Sequence, residues 1–194
     1  LDSSWISSIG VYIDRFERAV AEVTGAKHAI AVCNGTVALH LAFHALGLGP
    51  GDEVIVPSFT YIASVNTIAQ TGATPVFVDV DPATFQIDPA HLEQRIKDVQ
   101  AAGRLRPRAV IGVDLFGQPA DWPALQRISA AHDLFLLDDL AQSFGATLGG
   151  VQLGTQATAT ATSFFPSKPL GAYGDGGALF TDDADRAALY RSLR

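Results

Sequence analysis

Short continuous apolar runs alternate along this chain with longer stretches in which apolar positions recur every three or four residues, as they do on a helix face. The helical stretches are Val11 to Val23, Gly35 to Leu46, Thr60 to Thr71, Pro89 to Gln100 and Trp122 to His132. The strand-like runs between them are His28 to Cys33, Glu53 to Pro57, Pro75 to Val80, Ala109 to Val113 and Leu134 to Asp138. Gly47 and Gly49-Pro50-Gly51 stop the second helix, as glycine and proline do at helix ends. Strands without polar alternation, each followed by a helix, belong to a mostly parallel sheet buried on both faces. The expected fold is therefore a three-layer α/β domain. Thr158 to Phe165 and Gly177 to Thr181 break the rhythm, being strand-like with no helix between them. They are expected to join the sheet as a closing, partly antiparallel edge. The segment 182–194 reads as one more amphipathic helix, and 101–108 is the most linker-like stretch. No repeats are evident.

Composition narrows the picture. The chain has 194 residues, 48% hydrophobic and 17% charged, enough for one well-filled globular domain. The net charge of −7 comes without any cluster of Lys or Arg, which disfavours nucleic acid as a partner. No apolar run reaches the roughly 18 residues that span a bilayer. The single cysteine, Cys33, forbids an internal disulfide and suits a reducing cytoplasm. The absence of methionine and the helical pattern still running at Arg194 lead us to expect a piece of a longer protein.

In open parallel sheets ligands bind beyond the carboxyl ends of the strands, and polar residues gather there. The first strand runs into Cys33-Asn34-Gly35-Thr36 at a helix start, where bare N–H groups, a hydroxyl and the helix dipole favour a phosphate. The same residues also suit an ordinary Asn cap. Leu134-Phe-Leu-Leu-Asp-Asp139 ends in two carboxyl groups, with Gln142 just after. A buried acid needs a cationic partner, and no neighbouring basic residue supplies one, whereas a protonated ring nitrogen would. Tyr61 follows another strand end and can stack on a ring or pack in the core. Ser163 can give a second hydroxyl to the phosphate. Lys168 lies in Ser163-Phe-Phe-Pro-Ser-Lys168, ahead of Gly171-Ala-Tyr-Gly-Asp-Gly-Gly177, whereas the other lysines, Lys27 and Lys97, sit in polar helical contexts. An amine held in such surroundings suits covalent chemistry. A phosphate cradle, an aromatic plate, an acid for a ring nitrogen and a lysine for an aldehyde together match pyridoxal phosphate (PLP).

Several ordered motifs carry a resemblance to a known family. They are Trp5-Ile-Ser-Ser, Asn34-Gly-Thr36, Gly51-Asp-Glu-Val-Ile-Val-Pro-Ser-Phe-Thr-Tyr61, Gly72-Ala-Thr-Pro-Val-Phe-Val-Asp79, Leu115-Phe-Gly-Gln118, Asp139-Leu-Ala-Gln142-Ser-Phe-Gly-Ala146 and the block from Ser163 to Gly177. From Leu1 to Arg194 the chain resembles the DegT/DnrJ/EryC1/StrS aminotransferases, PLP enzymes of fold type I that aminate nucleotide-linked keto sugars. The resemblance implies that residues 1–194 form the PLP-binding large domain of a homodimer with shared active sites, and that a smaller C-terminal domain lies outside them. It implies that Lys168 holds the cofactor aldehyde as a Schiff base and that Asp139 partners the pyridine nitrogen. Gln142 resembles the contact to the ring hydroxyl, Gly35, Thr36 and Ser163 the phosphate binders, and Tyr61 the stacking aromatic. Glutamate is the implied amino donor. The Ser163 block is most similar to enzymes that aminate a 3-keto sugar, while Cys33-Asn-Gly-Thr-Val-Ala-Leu is closer to those acting on a 4-keto sugar. Many relatives have Glu in place of Asp138, and His in place of Asp114 and Phe144.

Other candidates are weaker. His40 and His44 have the four-residue spacing of zinc ligands, but no third ligand is evident, and no metal is expected. Asp79-Val-Asp81-Pro reads as a strand-end turn. The glycine run lacks the GxxxxGK[ST] spacing, so its expected role is close backbone approach near the cofactor. Rival functions are a sugar dehydratase of the same family, which would replace the lysine by histidine, a nucleotide-binding module without PLP, and a non-catalytic PLP-binding regulator.

Overall fold

A computed structural model describes residues 10–194; Trp5-Ile-Ser-Ser lies outside the described residues. The element order is α1 (Val11–Thr24), β1 (His28–Val32), α2 (Gly35–Ala45), β2 (Asp52–Pro57), α3 (Ile62–Gln70), β3 (Thr74–Val78), α4 (Pro89–Ala102), β4 (Arg106–Val113), α5 (Trp122–Ala131), β5 (Phe135–Asp139), β6 (Thr147–Leu148), β7 (Val151–Gln152), β8 (Ala159–Ser163), β9 (Gly177–Thr181) and α6 (Ala184–Leu193).

Local chemistry sets the helix starts. Asp88, Asp121 and Asp183 each accept hydrogen bonds from first-turn N–H groups of α4, α5 and α6. Pro89 and Pro123 follow two of these caps, where proline's missing N–H costs nothing. Gly25 and Gly103 close α1 and α4 in the left-handed conformation.

The main sheet has seven strands in the order β1-β9-β8-β5-β4-β2-β3. Only β9 runs against its neighbours. The late strands therefore do not close the edge as expected. They lie inside the sheet, with β8 parallel to β5 and β9 joining β8 to β1, which is the edge strand. Every residue of β8 and β9 is buried, so both need neighbours on both sides, and their small residues fit that crowding. β4 also begins earlier than its apolar run suggests, because Arg106 forks onto the buried carboxyl of Asp52 at 2.7 and 2.9 Å. The linker-like stretch shrinks accordingly. The small β6–β7 hairpin was not expected; it turns at Gly149-Gly150, both with positive φ.

Two apolar layers sandwich the sheet. One packs Val20 of α1, Leu92 and Ile96 of α4 and Leu125 and Ile128 of α5 on one face. The other packs Leu39 of α2, Ile68 of α3 and Tyr190 of α6 on the opposite face. Because strand residues alternate between faces, Asp138 points with Leu136 into the first layer and Asp139 with Leu137 into the second. No described helix is long and apolar enough to cross a membrane.

Candidate active site

The carboxyl ends of β1, β2, β4, β5 and β8 all reach the same end of the sheet, and a cavity of about 370 Å3 opens there. Gly35, Thr36, Tyr61, Asp139, Gln142, Ser163 and Lys168 all line it. Residues far apart in sequence are thus brought to one place by the parallel topology.

Asn34 does cap α2, accepting from Val37 N–H at 2.9 Å. The cap and the anion site coexist, since it leaves the N–H groups of Gly35 and Thr36 at the open helix end. Ser163, at the end of β8, lies against this turn so closely that a Cβ on Gly35 would stand 2.7 Å from its Cβ. Gly177 is paired between Val32 and Ser163 and abuts Asn34 and Gly35; a Cβ there would lie 2.8 Å from Gly35 N. The close approach expected of the glycine run is real at Gly177. Residues 171–175 are exposed.

Tyr61 is not core. It is 64% exposed, and Lys168 Nζ lies 5.7 Å from its ring centroid, within cation–π range. Lys168 is only partly buried rather than fully enclosed, and its N–H is held by Phe165 O at 2.8 Å. Asp139 is 6% exposed. Its Oδ2 accepts from Ser64 Oγ at 2.8 Å and its Oδ1 from Ala141 N–H at 3.2 Å. Burial raises its carboxyl above the usual range, opposed by Ser64, Ala141 and the charge of Lys168. Ser64 was missed in the sequence, although it stands only three residues after Tyr61, in the first turn of α3.

Behind the cavity lie two further acids. Asp114 is buried and accepts from Ala120 N–H at 2.8 Å, Trp122 Nε1 at 3.0 Å and Ser143 Oγ at 2.9 Å. Burial lifts its pKa to about 6 despite these three donors. Asp138 is fully buried; its Oδ2 has only Thr160 Oγ1 at 3.4 Å and its Oδ1 has no partner. Burial, then Asp114 and Asp139, hold its carboxyl well above the usual range. Elsewhere, the rings of His40 and His44 are 6.2 Å apart, with no metal-holding cluster among the described residues. Asp81 caps the expected turn, accepting from Ala83 N–H at 2.7 Å.

Residues 1–194 match the model of the DegT/DnrJ/EryC1/StrS aminotransferase family. The chain belongs to that family. It is 46% identical over 194 residues to GDP-perosamine synthase of Caulobacter vibrioides, covering all of this chain and 50% of that protein. It is 45% identical over 185 residues to UDP-2-acetamido-2-deoxy-3-oxo-D-glucuronate aminotransferase of Pseudomonas aeruginosa, covering 95% and 50%. The crystal structure of a DegT DnrJ EryC1 StrS aminotransferase from Brucella abortus superimposes with a TM-score of 0.95 at 43% identity, over 99% of this chain and 51% of that one. The chain thus spans about half the length of these relatives. The fold is the fold type I architecture of PLP-dependent aminotransferases. Family structures have been solved with the cofactor in PLP and pyridoxamine phosphate (PMP) forms.

Proposed function

We propose that this chain is the cofactor-binding large domain of a PLP-dependent aminotransferase that aminates a nucleotide-linked keto sugar. The convergence of all seven candidate residues on one cavity carries this reading. The donor set also fits the cofactor. The buried carboxyl of Asp139 has hydroxyl and amide donors but no full ion-pair partner, a gap that a protonated pyridine nitrogen would fill. When bound, PLP supplies an aldehyde that captures amines and a ring that accepts the electron pair released at the donor's α-carbon.

The chain's own residues do the rest. Gly35 and Thr36 N–H groups and Ser163 Oγ bind the phosphate. Tyr61 would offer its ring to the cofactor ring. Asp139, oriented by Ser64 and Ala141, would hold a proton on the ring nitrogen. Gln142 would donate to the ring hydroxyl. Lys168 Nζ would hold the aldehyde carbon and, when free, would move the proton at the donor's α-carbon. Glutamate is the proposed donor, and the site is proposed to be completed by a smaller C-terminal domain and by a second copy in a cytoplasmic homodimer. The motifs point to both a 3-keto and a 4-keto substrate, and relatives with different sugar products match about equally, a 3-oxo-glucuronate aminotransferase at 45% and a perosamine synthase at 46% identity. The presence of Lys168 speaks against the dehydratase branch.

Borohydride reduction of the full-length protein with PLP, followed by peptide mass mapping, tests the assignment. The adduct is expected on the peptide carrying Lys168; an adduct on Lys27 or Lys97 alone would sink it. A panel of 3-keto and 4-keto sugar nucleotides then fixes the substrate.

A further inference from the structure

One peptide unit connects two glutamine side chains at this end of the sheet. Gln142 Oε1 accepts from Phe116 N–H at 2.7 Å. The same peptide carries Leu115 C=O, which accepts from Gln86 Nε2 at 3.1 Å. Gln86 Oε1 in turn accepts from Leu115 N–H at 3.3 Å, so its amide grips Leu115 on both sides. In a trans peptide C=O and N–H point in opposite directions, so holding one fixes the other. Phe116 itself has φ 60, a left-handed value that a bulky residue adopts only when its surroundings impose it.

Gln86 can impose it because it is buried in a loop that is itself closed by backbone hydrogen bonds. It is 4% exposed. Asp81 O accepts from Thr84 N–H at 3.2 Å and Phe85 N–H at 2.7 Å, and Asp81 N–H donates to Gln86 O at 2.9 Å. Phe85 sets its ring edge-on to Phe116, with centroids 6.4 Å apart, and Phe59 touches both. The consequence reaches the cavity. With Oε1 of Gln142 committed to Phe116 N–H, the end of that amide left for the cavity is its N–H2 donor.

We propose that Gln86, which does not line the cavity with Lys168, is a positioning residue for the cofactor. It fixes the Leu115–Phe116 peptide and thereby aims the Gln142 amide at the cofactor ring. The proposal rests on the reading of Gln142 as the contact to the ring hydroxyl.

The test uses the full-length protein with PLP and the variants Gln142→Leu, Gln86→Leu and their double. The readouts are PLP affinity and the pH midpoint of the visible band of the lysine-bound cofactor. Gln142→Leu should weaken PLP binding roughly three- to tenfold, the scale of one hydrogen bond, and shift the midpoint. Gln86→Leu should move both readouts in the same direction, and the double variant should be no worse than Gln142→Leu alone. If Gln142→Leu shifts the band but Gln86→Leu does not, or if their effects add, the proposal is overturned while the role of Gln142 stands. A silent Gln142→Leu overturns both. Should leucine's branch prevent folding, Gln86→Met, unbranched and without a hydrogen bond to Leu115, carries the same comparison.

Discussion

Two neighbouring acids on β5, Asp139 and Asp138, are both buried at one strand end, yet they face opposite sides of the sheet and meet different surroundings. Asp139 faces the α2/α3 layer, lines an open cavity and is met by Ser64, Ala141 and the charge of Lys168. Asp138 faces the α4/α5 layer, where the aromatic cluster of Phe144, Phe164 and Phe180 packs, and has one long hydrogen bond and one unpartnered oxygen. Burial raises both carboxyls, but only Asp139 has room beside it for a cation. A buried acid beside a cavity is prepared for a ligand; a buried acid in a closed core is pushed toward its neutral form.

The comparison breaks most sharply at Lys168. Lys168→Ala should remove both the covalent hold on the cofactor and the nearest positive charge to Asp139. We expect turnover to fall by at least about a thousandfold, the scale of losing a positioned proton-transfer group together with a nucleophile. Steady-state assay with the preferred keto sugar measures it. Normal turnover would end the assignment. Asp139→Asn comes next. It preserves shape and the contacts of Ser64 and Ala141 but cannot hold a proton on the ring nitrogen. Turnover should drop on the order of a hundredfold while PLP still binds. A variant that loses the cofactor altogether would show that Asp139 serves binding instead.

Much of this contrast was legible in the chain. The alternation of apolar runs and helical periods gave the three-layer sheet, and the rule that ligands gather at parallel strand ends singled out Asn34–Thr36, Tyr61 and Asp139. The motif from Ser163 to Lys168 stood out because its lysine sits among aromatic, proline and glycine residues. The order of β8 and β9 could not be read, because burial on both faces leaves no polar alternation to say which strand lies at an edge. Ser64 stayed hidden for a different reason. A serine on a helix looks like any solvated position until the fold places it 2.8 Å from Asp139. Nor could the sequence show that Asp114, Ser143 and Trp122 share one network, since Asp114 and Ser143 are 29 positions apart.

That network supplies a pH test of the core side. Asp114 titrates at about 6 in the folded chain against an ordinary 3.8, so the folded state holds its proton more tightly than the unfolded state does. Its contribution is present below about pH 4 and is lost as pH rises through 6, at a cost of up to about 3 kcal/mol. Asp114→Asn can keep all three contacts, because Ser143 Oγ can turn to accept from the amide. The variant should flatten the fall in stability between pH 4 and 6 and be more stable than wild type at pH 7.5. Urea melts across that range measure it, and an unchanged slope would place the raised pKa elsewhere.

Asp138→Asn should have the smallest effect, for an instructive reason. Burial pushes the Asp138 carboxyl toward its neutral form, and an amide is neutral and of nearly the same shape. Thr160 can meet either, since a hydroxyl donates or accepts. Stability at pH 7 should change by less than about 1 kcal/mol, turnover by no more than a few-fold, and the visible band not at all. A loss of turnover as large as that of Asp139→Asn would mean that the charge of Asp138 reaches the cofactor through the strand. The two faces of β5 would then act as one coupled acid pair, and the division between a ligand-facing acid and a core-facing acid would have to be abandoned.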